Sequence, residues 1–165
     1  MTRANARELA LHLIYGRGFT GEEPEQVVAI RLEKEYYAQL SSENEIYEER
    51  PSRAQLRYLD TIVVGIANRE EELNGIIGKF SIGWDVSRIS RLTRCVMQLA
   101  IFEILYVEDV PTGVAISEAV RLSKKYDSNE TGSFVNGILG SFARSLTAEE
   151  PAAEATDAAA PAGEE

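Results

Sequence analysis

Apolar residues recur at intervals of three and four along almost the whole chain, and no stretch alternates as a half-buried strand would. That period restricts the chain to an all-α fold. Ala6, Leu9, Ala10, Leu13 and Ile14 predict an amphipathic helix over 3–15, ended by Gly16 and Gly18. Pro24 opens a second helix over about 24–40, and a polar connection closed by Pro51 follows it. Beyond Pro51, with Ser52 as the N-cap, Leu56, Leu59, Ile62, Val63, Ile66 and Ala67 mark a third helix. Leu73, Ile76 and Ile77 extend the pattern in a short further helix, and Gly78 and Gly83 break it near Phe80 and Trp84, a hinge between two helical halves. The second half holds a strongly apolar helix over about 90–106, then helices over about 112–125 and 133–145. Gly137 and Gly140 inside the last of these predict close contact with a neighbouring helix.

Charge narrows the classes of partner. The net charge is −10, and residues 147–165 supply six acids and no base. Without them, 17 basic and 21 acidic residues leave −4 over residues 1–146. A general nucleic-acid coat is excluded, and any RNA surface must be a local patch. The tail from Thr147 onward is Ala, Glu, Pro and Gly with little to bury, so disorder is expected there.

Catalytic constellations are lacking. One cysteine, Cys95, rules out an internal disulfide or a cysteine-rich zinc site, and one histidine, His12, adds no metal cluster. The carboxylates at Glu48, Glu49 and Glu70 to Glu72 read as solvated faces, and the glycines do not form a phosphate-cradling loop. No fully apolar run spans a bilayer and no secretory signal opens the chain, so a cytoplasmic protein without membrane contact, enzymatic activity or cofactor is expected. Binding has more support. Arg88, Arg91 and Arg94 recur every three residues, and a continuous helix would line them along one flank, to meet phosphates or acidic side chains. Arg3 and Arg7 form a second cluster. Ion pairing with the many glutamates is the alternative for both.

Several segments, taken in order, carry a resemblance. They are RANARELALHLIY from Arg3 to Tyr15, Gly65 and Asn68, Trp84 and Arg88, Ala100 to Tyr106, Asp109 to Pro111, Val114 to Ala119, and FVNGIL from Phe134 to Leu139. Together they span residues 3–143 and resemble the NusB family of bacterial transcription termination and antitermination factors. The resemblance implies a compact all-α domain over 1–146 with two helical subdomains, three helices in about 1–82 and about four in 83–146. It also implies pairing with ribosomal protein S10 (NusE) and binding of boxA-type single-stranded RNA. The outcome would be antitermination, notably of ribosomal RNA operons, by an RNA polymerase elongation complex reached through other Nus factors.

Carried onto this chain, the resemblance makes Arg3, Arg7 and His12 candidates for RNA, beside Arg88, Arg91 and Arg94. Tyr15, Glu103, Tyr106 and Asp109 become candidates for the protein partner. Gln98 stands where the family commonly has arginine, Ser117 where it has asparagine, and Phe102 where tyrosine is more usual. A protein-only interaction module, or a homodimer with weak RNA binding, is the alternative.

Overall fold

A computed structural model describes the backbone of residues 1–158 and the side-chain environments of residues 1–148. Among the described residues every regular element is helical. Eight α-helices follow in order: α1 (Arg3–Thr20), α2 (Pro24–Arg31), α3 (Lys34–Leu40), α4 (Arg53–Asn68), α5 (Glu70–Phe80), α6 (Arg91–Tyr106), α7 (Thr112–Tyr126) and α8 (Asn129–Ala158). Single 3-10 turns lie at Glu45–Tyr47 and Val86–Arg88.

Local chemistry explains the starts. The Thr2 hydroxyl accepts the Asn5 N–H at 3.0 Å, and Ser52 with Gln55 forms a reciprocal capping box at the head of α4. Ser90 and Ser128 accept the amides of Thr93 and Thr131 in the same way.

Three boundaries differ from the sequence-based expectation. Helix α1 runs through Gly16 and Gly18 to Thr20 and stops at Gly21, whose φ of 67° provides the left-handed cap. A helical glycine costs about 1 kcal/mol, too little to end a helix docked along most of its length. The single helix expected over 24–40 is two, because the Glu33 carboxylate accepts the amides of Glu35 and Tyr36 and starts a new helix there. Five α-helices therefore precede residue 82, where three were expected, and three follow it, where about four were expected. Helix α8 continues past Thr147 to Ala158, across the start of the segment expected to be disordered, as strong helix formers such as Ala and Glu allow. The rest of that expectation, residues 159–165, lies outside the described residues.

Helix α6 is the axis of the molecule. Residues Cys95 to Glu103 are all buried, on every side of the helix, and α6 packs against α1, α4, α5, α7 and α8. One cluster of buried side chains runs from Ala6 and Leu9 of α1, through Leu59 and Ile62 of α4 and Leu99 of α6, to Leu139 and Phe142 of α8. Both halves thus share a core across the expected hinge. Close approach occurs at Gly65, where a Cβ would overlap the Phe102 ring. At Gly137 a Cβ would meet nothing within 4 Å, and at Gly140 only Arg144 of the same helix, so the contact expected at those two positions is absent. None of the described helices is long and apolar enough to cross a membrane.

Candidate nucleic-acid and partner interface

Helix α1 brings the first cluster of candidates against α6 and α7. Arg7 is 3 % exposed and Glu103 is 0 % exposed. Arg7 Nε donates to Glu103 Oε1 at 2.7 Å, Nη2 to Glu103 Oε2 at 3.0 Å, and Nη1 to Glu118 Oε1 at 3.2 Å. Burial works against the guanidinium charge, but the hydrogen bond and charge of Glu103 outweigh it and hold the Arg7 pKa above its ordinary value. This bidentate pair corrects two expectations. Arg7 is not available to RNA, nor Glu103 to a protein partner, because both are buried and their polar atoms are spent within the protein, Arg7 on Glu103 and Glu118 and Glu103 on Arg7. The network extends through Glu118 and Arg121 to buried Glu8, which Lys125 Nζ meets at 2.9 Å.

His12 is also engaged. Its Nδ1 lies 2.9 Å from the Tyr47 hydroxyl and its Nε2 2.7 Å from the Tyr126 hydroxyl, so a neutral ring donates to one and accepts from the other. Neither nitrogen is left for an RNA base. Burial lowers the His12 pKa, with Lys125 acting in the same sense and Glu8 against it. A histidine with a depressed folded pKa binds fewer protons folded than unfolded, so its contribution is present above about 6.5 and is lost as pH falls through the folded value. The melting temperature should therefore drop between pH 7.5 and 5 more in the parent than in His12→Gln. Parallel pH profiles for the two would refute this.

The remaining N-terminal candidates meet each other. Arg3 is partly exposed, its guanidinium 4.1 Å from the Tyr58 ring centre, and its Nη1 lies 3.4 Å from Oδ2 of exposed Asp109. An RNA candidate and a partner candidate thus share one patch. Tyr106, 41 % exposed, donates its hydroxyl to Glu72 at 2.6 Å and carries Arg69 over its ring at 4.2 Å. Tyr15 is half-buried, packed edge-on against Phe19, and lines an apolar hollow of about 300 Å³ with Leu11, His12, Leu92 and Tyr126.

The three-residue arginine series does not form one flank. Arg88 sits in the 3-10 turn before Ser90, whereas Arg91 and Arg94 belong to α6, so helical register is lost between them. Arg88 borders a groove of about 310 Å³ with Trp84, Ile89, Thr131 and Phe134. Arg91 and Arg94 face a different cavity, shared with Arg17 of α1. Phe134 is half-buried and packs edge-on against exposed Trp84. Sequence reasoning missed Arg17; the available signal was a lone base in the last turn of α1. Gln98 is buried and donates to Asn74 Oδ1 at 2.8 Å.

This surface can hold phosphates on guanidinium groups and bases on aromatic rings. It offers no activated nucleophile in Cys95, which is buried with its thiol pushed up to about 11.

Comparison with known proteins agrees with this architecture. A model of the NusB family matches residues 4–144. The transcription antitermination protein NusB of Acetivibrio thermocellus is 38% identical over 140 residues, covering 85% of this chain and 87% of that protein. Its namesake from Symbiobacterium thermophilum is 34% identical over 146 residues, covering 88% and 92%. Among solved structures, T. maritima NusB superimposes with a TM-score of 0.71 at 26% identity, over 87% of this chain and 92% of that one. A structure of antitermination factors NusB and NusE in complex with double-stranded RNA gives 0.66 at 23% identity, over 87% and 96%.

Proposed function

The chain belongs to the NusB family, and from that membership we propose that it is a transcription antitermination factor that pairs with ribosomal protein S10 (NusE) and binds boxA-type single-stranded RNA. The observation that carries this reading is the family match over residues 4–144, which takes in all of α1 to α7 except Arg3. The fold shared with the NusB and NusE complex is compatible with it. Within the reading, the RNA candidates are Arg3, Arg88, Arg91 and Arg94, and the partner candidates are Tyr15, Tyr106 and Asp109. Arg7, Glu103 and His12 hold these surfaces in place. The acidic excess of the chain favours encounter with a basic partner. Antitermination would follow from tethering nascent RNA and S10 to the elongation complex through other Nus factors, notably on ribosomal RNA operons.

Mixing the chain with S10 of the same cell at about 10 μM, well above the dissociation constant of a stable complex, should give one species of summed mass on size exclusion, with or without RNA. Addition of a labelled boxA-type RNA should raise its anisotropy more with the complex than with the chain alone, because two modest surfaces act together. Two separate proteins on the column would defeat the S10 reading. A species of twice the chain's own mass that excludes S10 would favour the homodimer instead.

A further inference from the structure

Between the C-terminal turn of α1, the end of α4 and the first turns of α6 lies a cavity of about 330 Å³, bordered by Arg17, Arg91, Arg94, Glu70, Cys95 and Gln98. Three guanidinium groups and one exposed carboxylate give it a positive balance. Neither Arg91 nor Arg94 has a carboxylate within 4.0 Å among the described residues, in a chain whose acids outnumber its bases. Arg17 uses only Nε, which donates to the Glu22 carbonyl at 2.9 Å. Arg94 Nε is buried and has no acceptor among the described residues. A buried donor of a charged group left without a partner is unfavourable, so a small shift of the Arg94 side chain toward an oxyanion in the cavity would be favoured.

We propose that this cavity is a phosphate site for single-stranded RNA, occupied by one backbone phosphate whose neighbouring base stacks on Phe19. The proposal rests on the RNA-binding reading above and deepens it, joining Arg17 and Phe19 to Arg91 and Arg94, which that reading already names, in one site. A phosphate presents acceptors to several guanidinium groups at once, which a carboxylate with two oxygens does less well. Phe19 supplies the second half of the recognition. Its ring is 69 % exposed, and Arg91 lies over it with the guanidinium carbon 4.9 Å from the ring centre, so the base-stacking surface adjoins the phosphate-binding group. Basic grooves flanked by exposed aromatic rings are the usual means of holding a single strand.

The test uses the full chain with S10 and a short labelled boxA-type single-stranded RNA, read by anisotropy at several salt concentrations. The double variant Arg91→Gln, Arg94→Gln should bind about tenfold more weakly, with a salt slope shallower by about 0.7, the value for one phosphate on a single strand. The control is Arg53→Gln, Arg57→Gln, which removes the same charge from exposed positions on α4 and should change affinity less than about twofold. Equal losses in the two variants would overturn the site. Should the first variant fail to fold, Arg94→Lys decides: weakened RNA binding at an unchanged melting temperature supports the proposal, and parental affinity overturns it.

A second arm titrates inorganic phosphate into the free chain and follows the Arg94 Nε–H resonance. A shift together with the RNA effect supports the proposal. A shift while RNA affinity stays at the control level makes the site one for a small phosphorylated ligand and overturns the RNA assignment. If the parent binds RNA normally and the Arg91 and Arg94 changes do nothing, this inference fails together with those two RNA candidates, and the functional reading stands on Arg3 and Arg88. If the parent binds no RNA with S10, the functional reading fails with it.

Discussion

Arg7→Ala is expected to destabilise the protein by about 3–5 kcal/mol, the range for removing one partner of a buried ion pair. Glu103 would keep a carboxylate at 0 % exposure with both oxygens stripped of their guanidinium donors. Urea unfolding at pH 7 would measure the loss as a lower midpoint at unchanged slope. Replacing both partners together, Arg7→Met with Glu103→Leu, should recover much of the stability, since two apolar groups of similar volume carry no desolvation cost. A loss below about 1 kcal/mol in the single variant would show that the pair is solvated and that Arg7 is accessible after all. For the same reason an alanine at Arg7 is a poor probe of RNA contact: it would weaken binding by loosening the fold. Arg3, at the rim of the same helix, is the clean probe.

Gly65→Ala is expected to cost about 1–3 kcal/mol, the range for overpacking a filled core, although alanine is the better helix former. The added methyl would overlap the ring of Phe102, which is 3 % exposed and also packs against Tyr106 at 5.2 Å between ring centres. Either the ring leaves its place or α4 moves off α6. Phe102→Leu is destabilising in the parent because it empties ring volume. In the Gly65→Ala background it should cost less, since the smaller side chain relieves the overlap. A double-mutant cycle on melting midpoints gives the coupling. Strict additivity of the two changes would mean that the ring does not contact the position.

The residues show where sequence reasoning had purchase on the candidate site. Arg7 lies in the stripe with Ala10, Leu11 and Ile14, all buried, and Glu103 in the stripe with Val96, Leu99 and Ala100, also buried. Opposite charges in two apolar stripes are a legible signal for a buried pair, and with it the assignment of Arg7 to RNA could have been avoided. No comparable signal announced the cavity at Arg17, Arg91 and Arg94. Two of these arginines stood in a series with Arg88 that only a continuous helix would align, and the Ser90 cap breaks that helix. Arg17 is distant from both in sequence.

By itself the sequence determined the helical class, the places of α4, α6 and α7, the Ser52 cap and the family, because these depend on apolar period, capping chemistry and ordered motifs within one segment. Tertiary structure alone decided that α1 runs through its two glycines, that His12 is held between two tyrosines, that Gly65 rather than Gly137 is the point of close approach, and that Arg94 has a buried donor without an acceptor among the described residues. These depend on which groups from separate segments meet. A side chain's period along its own helix says which face it occupies, whereas its partners across the core are set by how the helices dock, and burial there converts a charge from a surface ligand into an internal tie.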